Sequence, residues 1–242
     1  MAEKWIDEFF KYMSHFDYAE LSHELEPGMP TYPTHPKYDF NLWPAEGDPA
    51  EIHSISISDH LGTHVDSPSH FVREEGNPLR IDIAGIMASA FTARMIKIKI
   101  NPIGNNYAVS KEEIVAFEAR SNIEITSEDI VVFDFGWSQR WHAGEEGASF
   151  LKNWPGLGLE ASEYLVSKHV KGVGTECIGL DTGNGGDGKL PAHFTLLPNN
   201  ILIYENLTNL DSAPIESIFV ALPLRFKGGS GSPIRPIAIF PK

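Results

Sequence analysis

The apolar residues of this chain follow two periods, and the switches between them mark out its elements. Trp5, Ile6, Phe9, Phe10 and Met13 recur at helical spacing. They predict an amphipathic helix over residues 3–14, whose apolar stripe needs a partner surface in the body of the chain or on a second subunit. Residues 25–36 hold four prolines and a glycine, so they form an ordered extended loop rather than a helix. IHSISIS (52–58) sets Ile55 and Ile57 against Ser54, Ser56 and Ser58, the alternation of a strand. RMIKIKI (94–100) alternates likewise, with Ile96, Ile98 and Ile100 opposite Lys97 and Lys99. Ser110 and Glu113 have capping-box spacing and open a helix over 110–120. DIVVFDF (129–135) is a continuous apolar run, which reads as a strand covered on both faces. Residues 160–169 read as a helix, and 170–181 as another buried strand running into the glycine-rich loop TGNGGDG (182–188). Further strands are predicted at 200–205, 217–223 and 234–240. No repeat, low-complexity tract or linker interrupts this order. The chain is therefore read as α/β, a single domain with a mixed β-sheet flanked by helices. Residues 1–16 form a helical extension on a domain over 17–242.

Composition narrows the function. A chain of 242 residues buries roughly 70–75% of its unfolded surface and holds a core without staples. Its 19 Lys and Arg against 33 Asp and Glu leave a formal net charge of −14, which repels phosphate backbones and excludes nucleic acid as the expected partner. Cys177 is the single cysteine. That rules out a disulfide within the chain and a zinc site built on several thiolates, so a metal must sit on His, Asp or Glu. No apolar run approaches the ~20 residues that cross a bilayer, and the N-terminal segment has early acids and no apolar core of a secretory signal. A cytoplasmic protein without membrane contact is expected.

The candidate chemistry is concentrated at His60-Leu-Gly-Thr-His64-Val-Asp66-Ser-Pro-Ser-His70, followed by Phe71. Gly62 and Pro68 argue against a helix, so the segment reads as an irregular turn that aims His60, His64 and Asp66 at one point. Three N/O ligands with positions left open describe a catalytic metal site. The spacing also allows a polar loop in which imidazoles and carboxylate bond one another without a metal. Glu205 ends the apolar run Ile201–Tyr204, as a ligand or as a strand-end surface acid. His193, in Pro191-Ala-His-Phe, opens a short helix, where a capping or core role is the simpler reading. Cys177 reads as a structural thiol. The 182–188 loop lacks calcium and phosphate signatures and reads as a flexible loop near the site mouth. His23, His35, His53, His142 and His169 read as structural or solvated. Trp137 and Trp141 fit a pocket or the core, Phe71 a pocket wall, and Arg235 a carboxylate anchor or a brace.

HLGTHVDSPSHF resembles the signature H-x-G-T-H-x-D-x-P-x-H-F of the cyclase family of metal-dependent hydrolases, which includes bacterial kynurenine formamidases and isatin hydrolases. Leu21-Ser22 with Met29-Pro-Thr-Tyr-Pro33, Phe135-Gly-Trp137, His193, Ile203-Tyr-Glu205-Asn-Leu207 and Gly231-Ser-Pro-Ile-Arg235 resemble further family segments in the same order, over residues 18–240. The resemblance implies a cyclase-type, kynurenine formamidase-like fold of the swivelling β/β/α kind. It implies a first metal on His60, His64 and Asp66, and a second bridged by Asp66 and held by His193 and Glu205. It makes His70 the acid–base residue, and Tyr32 and Phe71 substrate contacts, with Tyr32 standing where formamidases usually carry Trp. The implied cofactor is a divalent metal, two zinc ions, with manganese or cobalt as substitutes. The implied partner is a small aryl amide, best N-formylkynurenine, giving kynurenine and formate. A homodimer or homotetramer is implied as well. The alternatives are an isatin-hydrolase-like or other ring-opening enzyme, in whose branch one manganese is usual, and a non-catalytic metal- or small-molecule-binding protein.

Overall fold

The computed structural model describes residues 2–44, 46, 47 and 49–242. Its elements begin with α1 (Ala2–Met13), β1 (Phe16–Glu20), β2 (Asp39–Trp43), β3 (Ile52–Ser56), β4 (His64–Asp66) and β5 (Thr92–Lys99). β6 (Ala108–Val109), α2 (Lys111–Ser121), β7 (Asp129–Asp134), β8 (Gly156–Leu157), α3 (Leu159–Ser167) and β9 (Gly172–Thr175) follow. The chain ends with α4 (Gly185–Gly188), α5 (Pro191–Leu196), β10 (Leu202–Glu205), β11 (Glu216–Val220), β12 (Gly231–Pro233) and β13 (Ile237–Pro241). Nine strands build one mixed sheet in the order β1-β13-β11-β5-β7-β9-β10-β4-β12. β5, β7, β9 and β10 are parallel, and antiparallel strands extend the sheet on both sides.

Strand alternation divides the core in two. Val131 and Phe133 of β7 face one hydrophobic cluster, which takes in Ile96, Ile98, Val173 and Ile203 and is roofed by α2, α3 and α5. Ile130 and Val132 face the other, with Met95, Tyr204 and Phe219. That second face is covered mainly by irregular segments carrying Leu21, Ile83, Leu207 and Leu210. Helices thus flank one face of the sheet, where the sequence predicted flanking helices without specifying a side. β7 is buried along its whole length, as its unbroken apolar run predicts. Lys97 stays on the inner face of β5 by donating from Nζ to the carbonyls of Leu210 and Ala213, at 2.7 and 2.5 Å. The predicted capping box forms, with Ser110 Oγ accepting from Glu113 N and Glu113 Oε2 accepting from Ser110 N.

Three expectations change. The 170–181 strand stops at Thr175 because the next side chain turns inward. Glu176 accepts from the backbone N–H groups of Phe135 and Trp137 and from Ser138 Oγ, at 2.8, 3.1 and 2.6 Å. Burial holds the pKa of this carboxyl above its ordinary value. The 52–58 strand is β3, but it pairs only with β2 in a ribbon outside the main sheet. The 60–70 segment is not irregular throughout, since His64–Asp66 joins the main sheet between β10 and β12. The apolar stripe of α1 is left exposed among the described residues, with Phe10 65% exposed, and the β2–β3 ribbon also leaves Trp43 59% exposed.

Tyr204 packs edge-on against Phe219. Gly172 makes room for the ring, because a Cβ there would sit 2.6 Å from Tyr204 Cε2. The hydroxyl is buried without a hydrogen-bond partner among the described residues. Removing an unsatisfied polar atom relieves its desolvation at no cost in bonding. Tyr204→Phe is therefore expected to leave stability unchanged or raise it by about 1 kcal/mol, read as the urea midpoint at constant slope. A loss of more than that would show that the hydroxyl is satisfied in solution.

Candidate metal centre

The pairing of β4 with β10 builds the site floor. Their register sets His64 opposite Glu205 and Asp66 opposite Ile203. Directly opposed residues share a face, and alternate residues along a strand return to it. His64, Asp66 and Glu205 therefore project to the side carrying Ile203 and α5, while Val65 and Tyr204 enter the opposite core. α5 adds His193 from above that face. The approach to β4 depends on Gly62, whose φ is +59° and whose Cβ would lie 2.5 Å from Leu25 Cδ2. Asn206 Nδ2 holds this turn by donating to Gly62 O at 2.7 Å.

Three imidazoles are each anchored through one ring nitrogen, and each turns the other toward the carboxylates. His64 Nδ1 bonds Gly62 O at 2.8 Å, so Nε2 faces Asp66 Oδ1 and Glu205 Oε2, both at 3.4 Å. His193 Nδ1 donates to Asp181 Oδ2 at 2.5 Å, so Nε2 faces Asp66 Oδ2 at 3.5 Å and Glu205 Oε1 at 3.3 Å. His60 Nε2 bonds Ser230 Oγ, itself a donor to Asp59, and its Nδ1 lies 2.7 Å from Asp66 Oδ1. Outer acceptors of this kind fix ring orientation and tautomer in metal sites. The donor atoms of His60, His64 and Asp66 lie within 4.8 Å of one another, as do those of Asp66, His70 and His193.

The charges here are interdependent. Burial alone would raise the Asp66 carboxyl, but the surrounding imidazoles of His60, His70 and His193 hold it well below its ordinary value. For Glu205, burial and the neighbouring Asp66 act upward, and the bonds from His193 and His64 outweigh them and bring it to about 2. Burial opposes a charge on His64, yet Glu205 and Asp66 lift it to about 9. His193 is likewise raised well above its ordinary value, by Asp181, Asp66 and Glu205 against burial. His70 behaves differently. Burial pushes it down to about 4, so it is neutral near pH 7. Its ring stacks on His60 at 3.9 Å between centroids and has no hydrogen-bond partner among the described residues.

A divalent cation fits this donor set. Imidazole nitrogen and carboxylate oxygen are ligands of zinc, manganese and cobalt. Asp66 Oδ2 is a buried acceptor with no hydrogen-bond partner among the described residues, His193 Nε2 standing 3.5 Å away. In the bare protein, protons on His64 and His193 balance the buried carboxylates, a balance that a cation supplies equally well.

These groups open into a cavity of about 380 Å³, within the ~300–1,000 Å³ of small-molecule sites. Tyr32 lies at its rim and Phe71 in its wall, the latter stacked on His193 at 4.7 Å. All eight candidate residues drawn from the resemblance thus converge, with Asp66 beneath the lining. Sequence reasoning missed Trp154, His35 and Arg73 in the lining, and the anchoring by Asp181 and Ser230. Asp181 carried a legible signal, an acid closing an apolar run, the same signal that Glu205 gives. It also accepts from the N–H groups of Ala192 and His193, tying the start of α5 to the floor. The 182–188 loop does reach the cavity mouth, and within it α4 forms a single turn. Leu190, also in the lining, takes a left-handed φ of 46°, a strained backbone for a side chain of its shape. Arg235 is elsewhere, bonded to Glu20 on the surface. Trp137 is core, and Trp141 stacks on His23 at 4.0 Å.

The Cyclase family profile matches residues 19–182. The chain belongs to the cyclase family. Among curated relatives, the isatin hydrolase of Roseibium aggregatum is 33% identical over 199 residues, covering 77% of this chain and 73% of that protein. The kynurenine formamidase of Bacillus cereus is 23% identical over 223 residues, covering 91% of this chain and 96% of that protein. A crystal structure of an isatin hydrolase bound to the product analogue thioisatinate superposes with a TM-score of 0.86 at 27% identity, over 100% of both chains. Cyclase-family membership and the converging His and Asp donors agree on metal binding. Among the described residues, no helix is long and apolar enough to cross a membrane.

Two outcomes follow for this cyclase-family chain. A metal ligand must be unprotonated, and His64 titrates near pH 9 without metal. Divalent-ion binding at pH 7.5 is expected to release at least one proton, seen as a buffer-dependent calorimetric enthalpy, with affinity rising until about pH 9. Asp181→Asn is expected to weaken metal affinity about 10–100-fold, by competition with a chromophoric chelator. An unchanged affinity would remove His193 from the ligand set.

Proposed function

We propose that the chain is a metal-dependent amidohydrolase that cleaves a small aryl formamide, with N-formylkynurenine as the first candidate substrate. The observation that carries this reading is the turning of three anchored imidazoles onto two buried carboxylates, beside a fourth imidazole left free in the same cavity. In this reading His60, His64 and Asp66 hold one divalent ion, and Asp66, His193 and Glu205 hold a second. Zinc is the first choice, and manganese and cobalt suit the same donors. When bound, such ions acidify water toward neutral pH and polarise an amide carbonyl.

The protein's own groups supply the rest. The His70 ring is neutral and has no hydrogen-bond partner among the described residues, so it can take a proton from attacking water at a ring nitrogen. It then returns that proton to the departing aryl nitrogen, giving arylamine and formic acid with the histidine restored, and the acid loses its proton to solvent as formate. Phe71, Phe194, Trp154 and Tyr32 offer aromatic faces and edges to the substrate ring. Asp181, Ser230 and the Gly62 carbonyl keep the three imidazoles in one orientation throughout.

A second reading, opening of a cyclic aryl amide such as isatin, is favoured by the 33% identity to an isatin hydrolase. It uses the same residues, since a lactam differs from a formamide only in tethering the two products. Assay of zinc-, manganese- and cobalt-loaded protein against N-formylkynurenine, formanilide and isatin separates the two. Chelation is expected to abolish turnover and metal to restore it. His70→Ala is expected to lower kcat by about 10²–10⁴-fold with metal content unchanged. Absence of turnover of every aryl formamide and lactam with all three metals would refute the proposal.

A further inference from the structure

Arg73 enters the cavity wall three residues after His70 and two after Phe71. It is the only arginine or lysine in that lining among the described residues. The backbone leading to it is fixed, because Val72 is buried and its N–H donates to Pro68 O at 2.9 Å. The side chain has no hydrogen-bond or ion-pair partner among the described residues. Arg94 and Arg235, by contrast, are tied to carboxylates, Asp129 and Glu20. Asp181 and Glu205 are the carboxylates in the lining, and both are already engaged, by His193, Ala192 and Leu180.

We propose that Arg73 is the recognition point for a carboxylate carried by the substrate, on its aromatic ring or on a side arm of that ring. This rests on the amidohydrolase reading and narrows its substrate class from aryl amides in general to anionic ones. The aryl group lies along the apolar wall of Phe71, Phe194 and Trp154, its amide toward the His60–His64 floor and its carboxylate toward the guanidinium. A guanidinium offers paired N–H donors that match a carboxylate. The formal charge of −14 opposes an anion at long range, but screening confines that field to about 8–10 Å at physiological ionic strength. Inside the cavity the local cation governs, and it gives discrimination between anionic and neutral amides of the same ring.

The test compares formanilide with the three formamidobenzoate isomers and N-formylkynurenine, using metal-loaded wild-type, Arg73→Gln and Arg73→Lys proteins. At least one anionic amide is expected to exceed formanilide in kcat/KM in the wild type. Arg73→Gln should lower that value about tenfold, mainly through KM, as expected for one charged contact at a solvent-accessible rim. Formanilide should change by less than about twofold, Arg73→Lys should recover part of the loss, and added salt should narrow the wild-type preference. If all the amides turn over and Arg73→Gln affects neither class or both alike, the carboxylate assignment is wrong and the hydrolase reading stands. If none turns over with any metal, and isatin does not either, the hydrolase reading fails. Calorimetric binding of the aminobenzoates against aniline then decides Arg73 alone. Loss of the aminobenzoate preference in Arg73→Gln supports the contact, and an unchanged preference overturns it.

Discussion

Asp66 and Glu205 place two carboxylates on the floor of a mostly apolar cavity, and negative charge in such a place costs several kcal/mol unless it is matched. The matching groups come from distant parts of the chain. His60 and His64 arrive just before or within β4, His193 on α5, and each ring is fixed from behind by Ser230, Gly62 or Asp181. Register supplies what sequence proximity cannot. A one-residue slip of β4 against β10 would turn His64 and Asp66 into the opposite core, where Val65 now sits. The hydrophobic clusters on the two faces of the sheet therefore hold the polar site in register as well as holding the protein together.

Much of this was legible in the residues, because the signals were local. The helix over 111–121 announces itself by a Ser–Glu pair three apart, and β7 by an apolar run that leaves no solvent face. The imidazole-rich motif pointed to a metal site by the chemistry of its side chains but left a metal-free polar loop open, and the family resemblance brought in His193 and Glu205. What stayed hidden depends on contacts between distant positions. The pairing of β4 with β10 joins segments well over a hundred residues apart and leaves no periodic trace in a three-residue strand. Trp154 and Arg73 reach the cavity from irregular segments, where no pattern aims a side chain. β9 ended early because Glu176 satisfies backbone donors that a strand would have left to a neighbour. Composition cannot anticipate that choice.

The relatives are named for isatin and for kynurenine, and the chain has substantial similarity to both groups. The site accommodates this, because a hydrolytic floor need only recognise an amide carbonyl and a departing nitrogen. In the proposed function the choice of amide falls to the upper cavity wall, which Tyr32, Trp154, Phe194 and Arg73 line.

That vertical separation has an evolutionary consequence. His64, Asp66 and Glu205 belong to paired strands of the main sheet, where a change disturbs register and core together. Tyr32 and Leu190 stand on connecting segments outside both hydrophobic clusters of the sheet. Selection can thus rewrite the upper walls by loop exchange, insertion or single replacement while the reactive base stays intact. A lineage built on this plan can change its diet without relearning its chemistry.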